Sequence, residues 1–404
     1  MPAERISADT RQTVFIVGLA CLAHVLSLSN QGTFPALIPL FQMEWGLTNS
    51  QSGWISGIYF AGYLLGVPVL VTATDTVDPR RIYIGSAVLG GLASLAFAEL
   101  AQGFWSALLL RALAGLGMAG TYMVGLRLVT DRLQGPQQSR GASFYLASFS
   151  VGLALSTFLA GELGALQWQL AFRIAGILTL AACLPVLLLQ AAPKREFPAA
   201  RGHPLDLRPA LRNRSALGYN FAYACHTWEL FGWRTWLVAF LAFAFAWHGQ
   251  ESLGGLNPTQ WATLLLMLGL PASILGNEAA LRWGRRRALT LIMLTSALLA
   301  CLVGFASLLP LQLLLAVVAF HAILVIADSS ALTAGAVAAA PGRPGATMAV
   351  HSLLGFGFAL IAPLAVGLLL DLGGQTPLGW GMALASLGLV AALGPLALKF
   401  LVRG

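Results

Sequence analysis

Apolar residues in this chain gather into twelve long runs, and polar residues fall mostly in the gaps between them. A helix crossing a bilayer needs about 20 mostly apolar residues. The runs predict twelve spans, at 13–34, 50–73, 81–100, 104–129, 141–163, 168–191, 215–246, 258–281, 286–307, 311–335, 345–370 and 378–401. The first run follows a charged segment with Glu4, Arg5, Asp9 and Arg11. A cleaved leader has a short apolar core and a small-residue cleavage site. This run continues to about Gln31 and a second span follows, so it is expected to be retained as a membrane helix.

The one long polar stretch, 192–213, carries Lys194, Arg195, Pro198, Pro204 and Pro209. It divides the chain into expected domains 1–191 and 214–404, six spans each, with 192–213 as the linker. The two halves repeat. Arg80-Arg81 after span 2 matches Arg285-Arg286 after span 8, and Arg140 before span 5 matches Arg343 before span 11. His24 in span 1 matches His226 in span 7, an offset of 202, and Leu47–Gln51 matches Leu256–Gln260, an offset of 209. A near-constant offset is the mark of a duplicated six-helix unit. Parallel repeats of this kind build one large class of secondary transporter, with the substrate site near the midplane between repeats.

Charge adds the orientation. Arg80 and Arg81, Arg132 and Arg140, the 194–214 cluster, Arg282 with Arg285–Arg287, Arg343, and Lys399 with Arg403 occupy alternate gaps. The intervening gaps, around 44–50, 99–103, 247–259, 308–312 and 371–379, hold no Lys or Arg. Positive loops stay on the cytoplasmic side. Both termini and the linker are therefore expected in the cytoplasm, in a bacterial inner membrane. The composition agrees: 58% hydrophobic and 9% charged, against about 25% charged for a soluble domain. The net charge of +8 is spread over separate loops, with no basic stripe for nucleic acid. Trp45, Trp105, Trp168, Trp247, Trp261 and Trp380 fall in or beside the Lys/Arg-free gaps, where indoles anchor at the membrane surface. Cys21, Cys183, Cys225 and Cys301 lie within apolar runs without metal-ligand spacing and read as small buried hydrophobes. No phosphate-cradling glycine loop with its lysine occurs, and no enzyme motif.

At the loops, the chain resembles the major facilitator superfamily over nearly its whole length. That family carries Gly-x-x-x-Asp-Arg-x-Gly-Arg-Arg between helices 2 and 3. Here Asp75, Arg80 and Arg81 are kept, with Val71, Thr76 and Asp78 in place of Gly, Arg and Gly. The second copy reads Arg282-Trp283-Gly284-Arg285-Arg286, with Leu281 replacing its acid. An Arg-x-x-x-Gly-x-Gly pattern on helix 4 appears as Arg111, Gly115 and Gly117. The Gly-Pro motif of antiporters on helix 5 is absent, since no proline lies between 137 and 184; helix 11 carries Gly355, Gly357, Pro363 and Gly367. The resemblance implies an all-α integral membrane fold of twelve helices in two pseudo-symmetric halves. It also implies a central cavity lined by helices 1, 4, 7 and 10.

Ionisable residues inside a membrane are costly and mark candidate function. His24, Ser27 and Gln31 share a face of span 1, and Tyr59 and Tyr63 belong to a polar stripe on span 2. Arg111 and Tyr122 are almost three turns apart on span 4. Span 7 carries His226, Glu229, Trp233 and Arg234; span 10 carries His321 and Asp328. His24, Ser27, Gln31, Tyr59, Tyr63, Arg111, Tyr122, His226, Trp233, Arg234 and His321 are the candidate cavity set. Glu229 and Asp328 are the candidate proton carriers. Several have a plain alternative: Arg111 as a structural pair, Tyr59 and Tyr63 as interhelical contacts, each histidine as a bridge between two helices. Glu229 and Arg234, five apart, do not face one another well and need partners on other helices. Asp75, Arg80, Arg81, Arg282, Gly284, Arg285 and Arg286 are candidate gating residues, with topology and lipid contact as the alternative. The expectation is a monomeric, proton-coupled secondary transporter of a small polar or anionic solute, without cofactor or metal. A proton-driven drug or metabolite efflux pump and a non-transporting membrane sensor or assembly factor are the competing readings.

Overall fold

The computed structural model describes residues 2–74, 76–191, 207–340 and 344–402. Asp75, Arg343, Arg403 and most of the linker lie outside the described residues. Among those described, twelve helices are long and apolar enough to cross a membrane. They are Arg11–Asn30, Asn49–Ala73, Pro79–Leu100, Phe104–Thr130, Arg140–Gly164, Trp168–Leu188, Arg214–Trp247, Pro258–Trp283, Arg285–Val303, Leu311–Ala338, Ala346–Gly373 and Pro377–Leu401, numbered spans 1 to 12 below. No strand occurs among the described residues; an isolated antiparallel β-bridge joins Leu253 and Leu256.

The starts of the helices are set by local chemistry. Asp78 accepts from Arg80 N at the start of span 3, with Pro79 in the first turn. Asn257 and Gln260 form a reciprocal capping box at span 8, behind Pro258. Thr376 caps span 12 ahead of Pro377, and Asn213 caps span 7. A first-turn proline costs nothing, because its missing N–H would have had no partner.

Five spans after the first are interrupted part-way. Spans 6, 8 and 12 break at Ala182, Leu268 and Ala392. In each a proline follows three residues later: Pro185, Pro271 and Pro395. Proline lacks an N–H and its ring clashes with the carbonyl four residues back. That carbonyl belongs to Ala181, Met267 or Ala391, the last residue of each preceding helical segment. Spans 4 and 10 break at Tyr122 and Asp328 without a nearby proline. Subtracting 122 from 328 gives 206, so the two breaks are repeat-equivalent. At the first, the Tyr145 hydroxyl donates to Thr121 O at 2.7 Å. At the second, the backbone of Gly276 presses on span 10, where an added Cβ would lie 1.8 Å from Ala327 O.

By contacts the chain forms two compact units. One comprises Met1–Thr33, Gly62–Ala101 and Leu109–Arg201. Its core gathers Ile16, Ala20, Tyr83, Leu128, Tyr145 and Val186. The other comprises Phe34–Ala61, Gln102–Leu108 and Gly202–Gly404, with Tyr219, Ala222, Leu289, Met293, Leu332 and Leu398 in its core. Span 2 is thus shared, its first part with the second unit and its remainder with the first.

The tryptophans divide differently from the surface-anchor expectation. Trp105 and Trp247 are exposed, as anchors are. Trp380 and Trp168 are buried. Trp380 packs among Trp236, Phe240 and Phe243 and donates Nε1–H to Gln375 Oε1 at 2.8 Å, while Trp168 lies against Phe97 and Phe172. An indole can satisfy its single donor inside the protein and still bury its large apolar face.

Candidate functional site

In the first unit the polar groups cluster where span 1 loses its regular helix. The helix to Ser27 passes into a 3-10 turn, Leu28–Asn30, and resumes at Thr33–Ala36. Pro35 has no N–H to offer Gln31 O. Arg111, from span 4, fills the gap: Nη1 donates to Asn30 O at 2.8 Å and Nη2 to Gln31 O at 3.0 Å. The guanidinium is 2% exposed. Gln31 is buried, and its side-chain Oε1 has no hydrogen-bond partner.

His24 is fully buried, with Nδ1 2.8 Å from Ser148 Oγ and 3.1 Å from Tyr145 O. A carbonyl only accepts, so Nδ1 carries the proton in this arrangement and Nε2 is an acceptor. Nε2 is buried without a partner. The ring stacks on Tyr145 at 4.3 Å and on Tyr122 at 5.7 Å. Tyr63 approaches Tyr122 at 6.3 Å. Ser27 turns its hydroxyl back to His24 O.

In the second unit, spans 7 and 10 each contribute one histidine and one carboxylate, and the pairs cross. His226 Nδ1 of span 7 lies 2.7 Å from Asp328 Oδ1 of span 10. The contact is short but out of line for a hydrogen bond, and His226 Nε2 has no partner either. Glu229 of span 7 lies 3.0 Å from His321 Nε2 of span 10 and also accepts from Ser296 Oγ of span 9 at 2.6 Å. His321 Nδ1 has no partner, and Trp233 meets its ring edge-on at 4.7 Å. His226, Glu229, His321 and Asp328 are all at most 3% exposed. Burial at this level forbids isolated charges, so each carboxylate has an imidazole to share a proton with.

A third histidine, His351 of span 11, stacks on Tyr223 at 3.7 Å. Its ring nitrogens meet Asn220 Oδ1 at 3.1 Å and Thr333 Oγ1 at 3.2 Å. Arg234 points elsewhere. It is half-buried and lines a small cavity between spans 7, 8 and 10, with Trp233, Leu237, Leu265, Gly269 and Val325. Tyr59 is buried in the second unit beside Phe60.

The loop residues are held locally. Arg80 meets Asp78 Oδ2 at 2.6 Å and donates to Leu189 O at 2.7 Å. The Arg80 guanidinium bonded to it holds the Asp78 carboxyl below its ordinary range. Arg81 is exposed, and Asp75 is not described. Arg282 is exposed, 3.9 Å from Glu278. Gly284 takes φ +86° between spans 8 and 9, a value that favours glycine. Arg286 donates to Lys399 O at 3.1 Å, while Arg285 and Arg287 line an open groove with Gly284 and Thr290.

Sequence reasoning missed Ser296, Tyr145 and Ser148, which tether Glu229, the span 4 break and His24. One hydroxyl among many in apolar runs carries no spacing signal. Asp78 was legible in principle, as an acid directly before Pro79 at a helix start. No group of three or more His, Cys, Asp or Glu among the described residues could hold a metal ion.

The family model described as Major Facilitator Superfamily matches residues 19–257. Human protein spinster homolog 1 is 24% identical over 244 residues, covering 57% of this chain and 46% of that protein. The niacin transporter of Acinetobacter baylyi is 27% identical over 170 residues, 41% of this chain and 37% of that protein. The 3-(3-hydroxy-phenyl)propionate transporter of Escherichia coli is 28% identical over 185 residues, 46% of this chain and 45% of that protein. The chain thus matches about half the length, or less, of these curated relatives. A bacterial homologue of the human lysosomal transporter spinster, solved inward-facing and occupied, superposes with TM-score 0.71 at 15% identity, over 96% of this chain and 95% of that one. A nucleoside transporter superposes with TM-score 0.74 at 12% identity, over 97% and 100%. At these identities the superpositions establish the fold.

Proposed function

Because the chain belongs to the Major Facilitator Superfamily, we propose that it is a secondary active transporter that moves a small organic anion by alternating access, driven by protons. The two covalent halves, 1–191 and 214–404, are the bodies that rock, joined by the linker 192–213. Both termini and the linker lie on the cytoplasmic side of a bacterial inner membrane, by the Lys/Arg bias of the gaps.

The observation that carries this reading is the crossed pair of buried His–carboxylate contacts on spans 7 and 10. A carboxylate and an imidazole in contact can share one proton without stranding a charge in low dielectric. The misaligned His226–Asp328 contact is the natural loading point, since a small rotation makes or breaks its bond. Glu229, fixed by both Ser296 and His321, is the second carrier. His24 Nε2 and Gln31 Oε1 are buried acceptors without partners in the first unit, suited to a hydroxyl, amide or protonated acid. The substrate class draws on two relatives named for niacin and for 3-(3-hydroxy-phenyl)propionate, both small organic acids.

The test is accumulation in proteoliposomes under an imposed pH gradient, with a panel of organic acids and neutral solutes. Asp328→Asn is expected to retain exchange of substrate down its gradient and to lose accumulation against it. A variant that still concentrates substrate with the pH gradient imposed would overturn the assignment of Asp328.

A further inference from the structure

Span 2 begins at the Lys/Arg-free end of the molecule, and its first turn is capped by a residue more than three hundred positions away. The leading amides of a helix have no intrahelical partner. Gln51 N is taken by Thr48 Oγ1. Asn49 N and Ser50 N are taken by the carboxylate of Asp371, near the end of span 11: Oδ1 accepts from Asn49 N and Asn49 Nδ2, and Oδ2 from Ser50 N, each at 2.9 Å. The negative charge sits at the positive end of the helix dipole. Asn49 is held in turn, with Oδ1 accepting from Gln375 Nε2 at 3.1 Å and from Gln42 Nε2 at 2.8 Å.

Beyond the cap the two helices meet backbone to backbone. A Cβ on Gly53 would lie 2.4 Å from Pro363 O, one on Gly57 2.2 Å from Leu360 O, and one on Gly367 2.4 Å from Asn49 O. The Phe60 ring then lies tilted against Phe231 of span 7 and Phe356 of span 11. From Gly62 onward the same helix belongs to the other compact unit. Close glycine packing gives this contact its fit, but glycine grips no partner strongly. The carboxylate is the one charge in the contact, and it binds a helix end instead of a side-chain cation.

We propose that Asp371 is a positioning residue for transport: a latch that clasps the start of span 2 and holds the pathway shut at the Lys/Arg-free end, so that its release is part of each cycle. The proposal rests on the transporter reading for its role in turnover, though the latch itself is measurable without substrate. Alternating access requires 49–57 to part from 360–371. A charge held by two backbone amides and one side-chain amide parts as a unit and re-forms at the same register.

Two measurements in a background lacking Cys21, Cys183, Cys225 and Cys301 test this. Ser56, buried and three residues from Gly53 on the same face, is replaced by cysteine and alkylated with an impermeant reagent from the Lys/Arg-free side. Asp371→Ala is expected to raise the labelling rate about three- to tenfold, since loss of an anion at a helix start shifts a two-state balance by that order. Asp371→Glu is expected to restore slow labelling, with the melting temperature in detergent little changed in both. Unchanged labelling, or faster labelling that only tracks a fall in melting temperature, overturns the latch. In the second measurement Asn49→Cys with Gln375→Cys leaves Asp371 in place. Oxidation to the bridged form is expected to stop turnover and reduction to restore it. Full turnover while bridged overturns the proposal. If neither form transports any solute while the labelling arm behaves as stated, the latch stands and the transporter reading fails.

Discussion

Replacing Arg111 with methionine separates two roles for one residue. The guanidinium donates to Asn30 O and Gln31 O across the break in span 1 and is 2% exposed. A hydrogen bond from a charged donor contributes about 1.5–3 kcal/mol, so two amount to about 3–6 kcal/mol. Methionine keeps much of the stem's volume and removes the cost of burying a cation, which offsets part of the loss. A net destabilisation of about 2–4 kcal/mol remains. At about 2–4 °C per kcal/mol for a cooperative unit of 150–250 residues, the melting temperature in detergent should fall by at least about 4 °C. Arg111→Lys should lie between, because an ammonium cannot fork to both carbonyls. Tryptophan fluorescence on heating reads the transition, and equilibrium binding of whichever solute the proteoliposome panel identifies reads the site. If Arg111→Met melts within about 1 °C of the native protein and yet loses binding, the residue is a substrate contact and the structural reasoning is wrong.

Gly276→Ala should destabilise the second half by about 1–3 kcal/mol through overpacking, since the new methyl meets Ala327 O; an unchanged unfolding midpoint refutes the close approach. Asp78→Ala should cost about 1 kcal/mol through loss of the span 3 cap, read as a lower midpoint at pH 7. Because the Asp78 carboxyl is held below its ordinary range, its contribution is present above the ordinary carboxylate pKa and is lost as pH falls through the lowered value. The native-minus-mutant difference should therefore shrink on acidification, and a difference that grows contradicts the pairing. In single-cysteine variants, position 250 should react from outside the cell and position 200 only from the cytoplasm; the reverse pattern inverts the topology.

The spans were legible because lipid imposes a length and an apolarity that no packing detail overrides. The breaks at Ala182, Leu268 and Ala392 are equally legible, since each follows from a proline three residues on. Those at Tyr122 and Asp328 are not, because they depend on Tyr145 and Gly276, which come from other helices. The same limit applied to the titratable groups. Seven-residue spacing placed His321 and Asp328 on one face of one helix. In the structure Asp328 ends the helical segment that carries His321, and each turns to a different partner on span 7: His321 to Glu229 and Asp328 to His226. Which imidazole meets which carboxylate is a property of the crossing of two helices, and spacing along either one does not contain it.

The crossed pairs on spans 7 and 10 also bear on how membrane voltage reaches the protein. An imidazole and a carboxylate sharing one proton sum to zero charge, whichever of them holds it. In the proposed cycle the transmembrane field would therefore exert no net pull on such a unit as the halves move. A second proton makes the unit +1, and 100 mV is then worth up to about 2.3 kcal/mol for a charge carried across the full thickness. The empty carrier would then return indifferent to the potential, and the protonated one would feel it only as far as the charge of the bound solute leaves the +1 uncancelled.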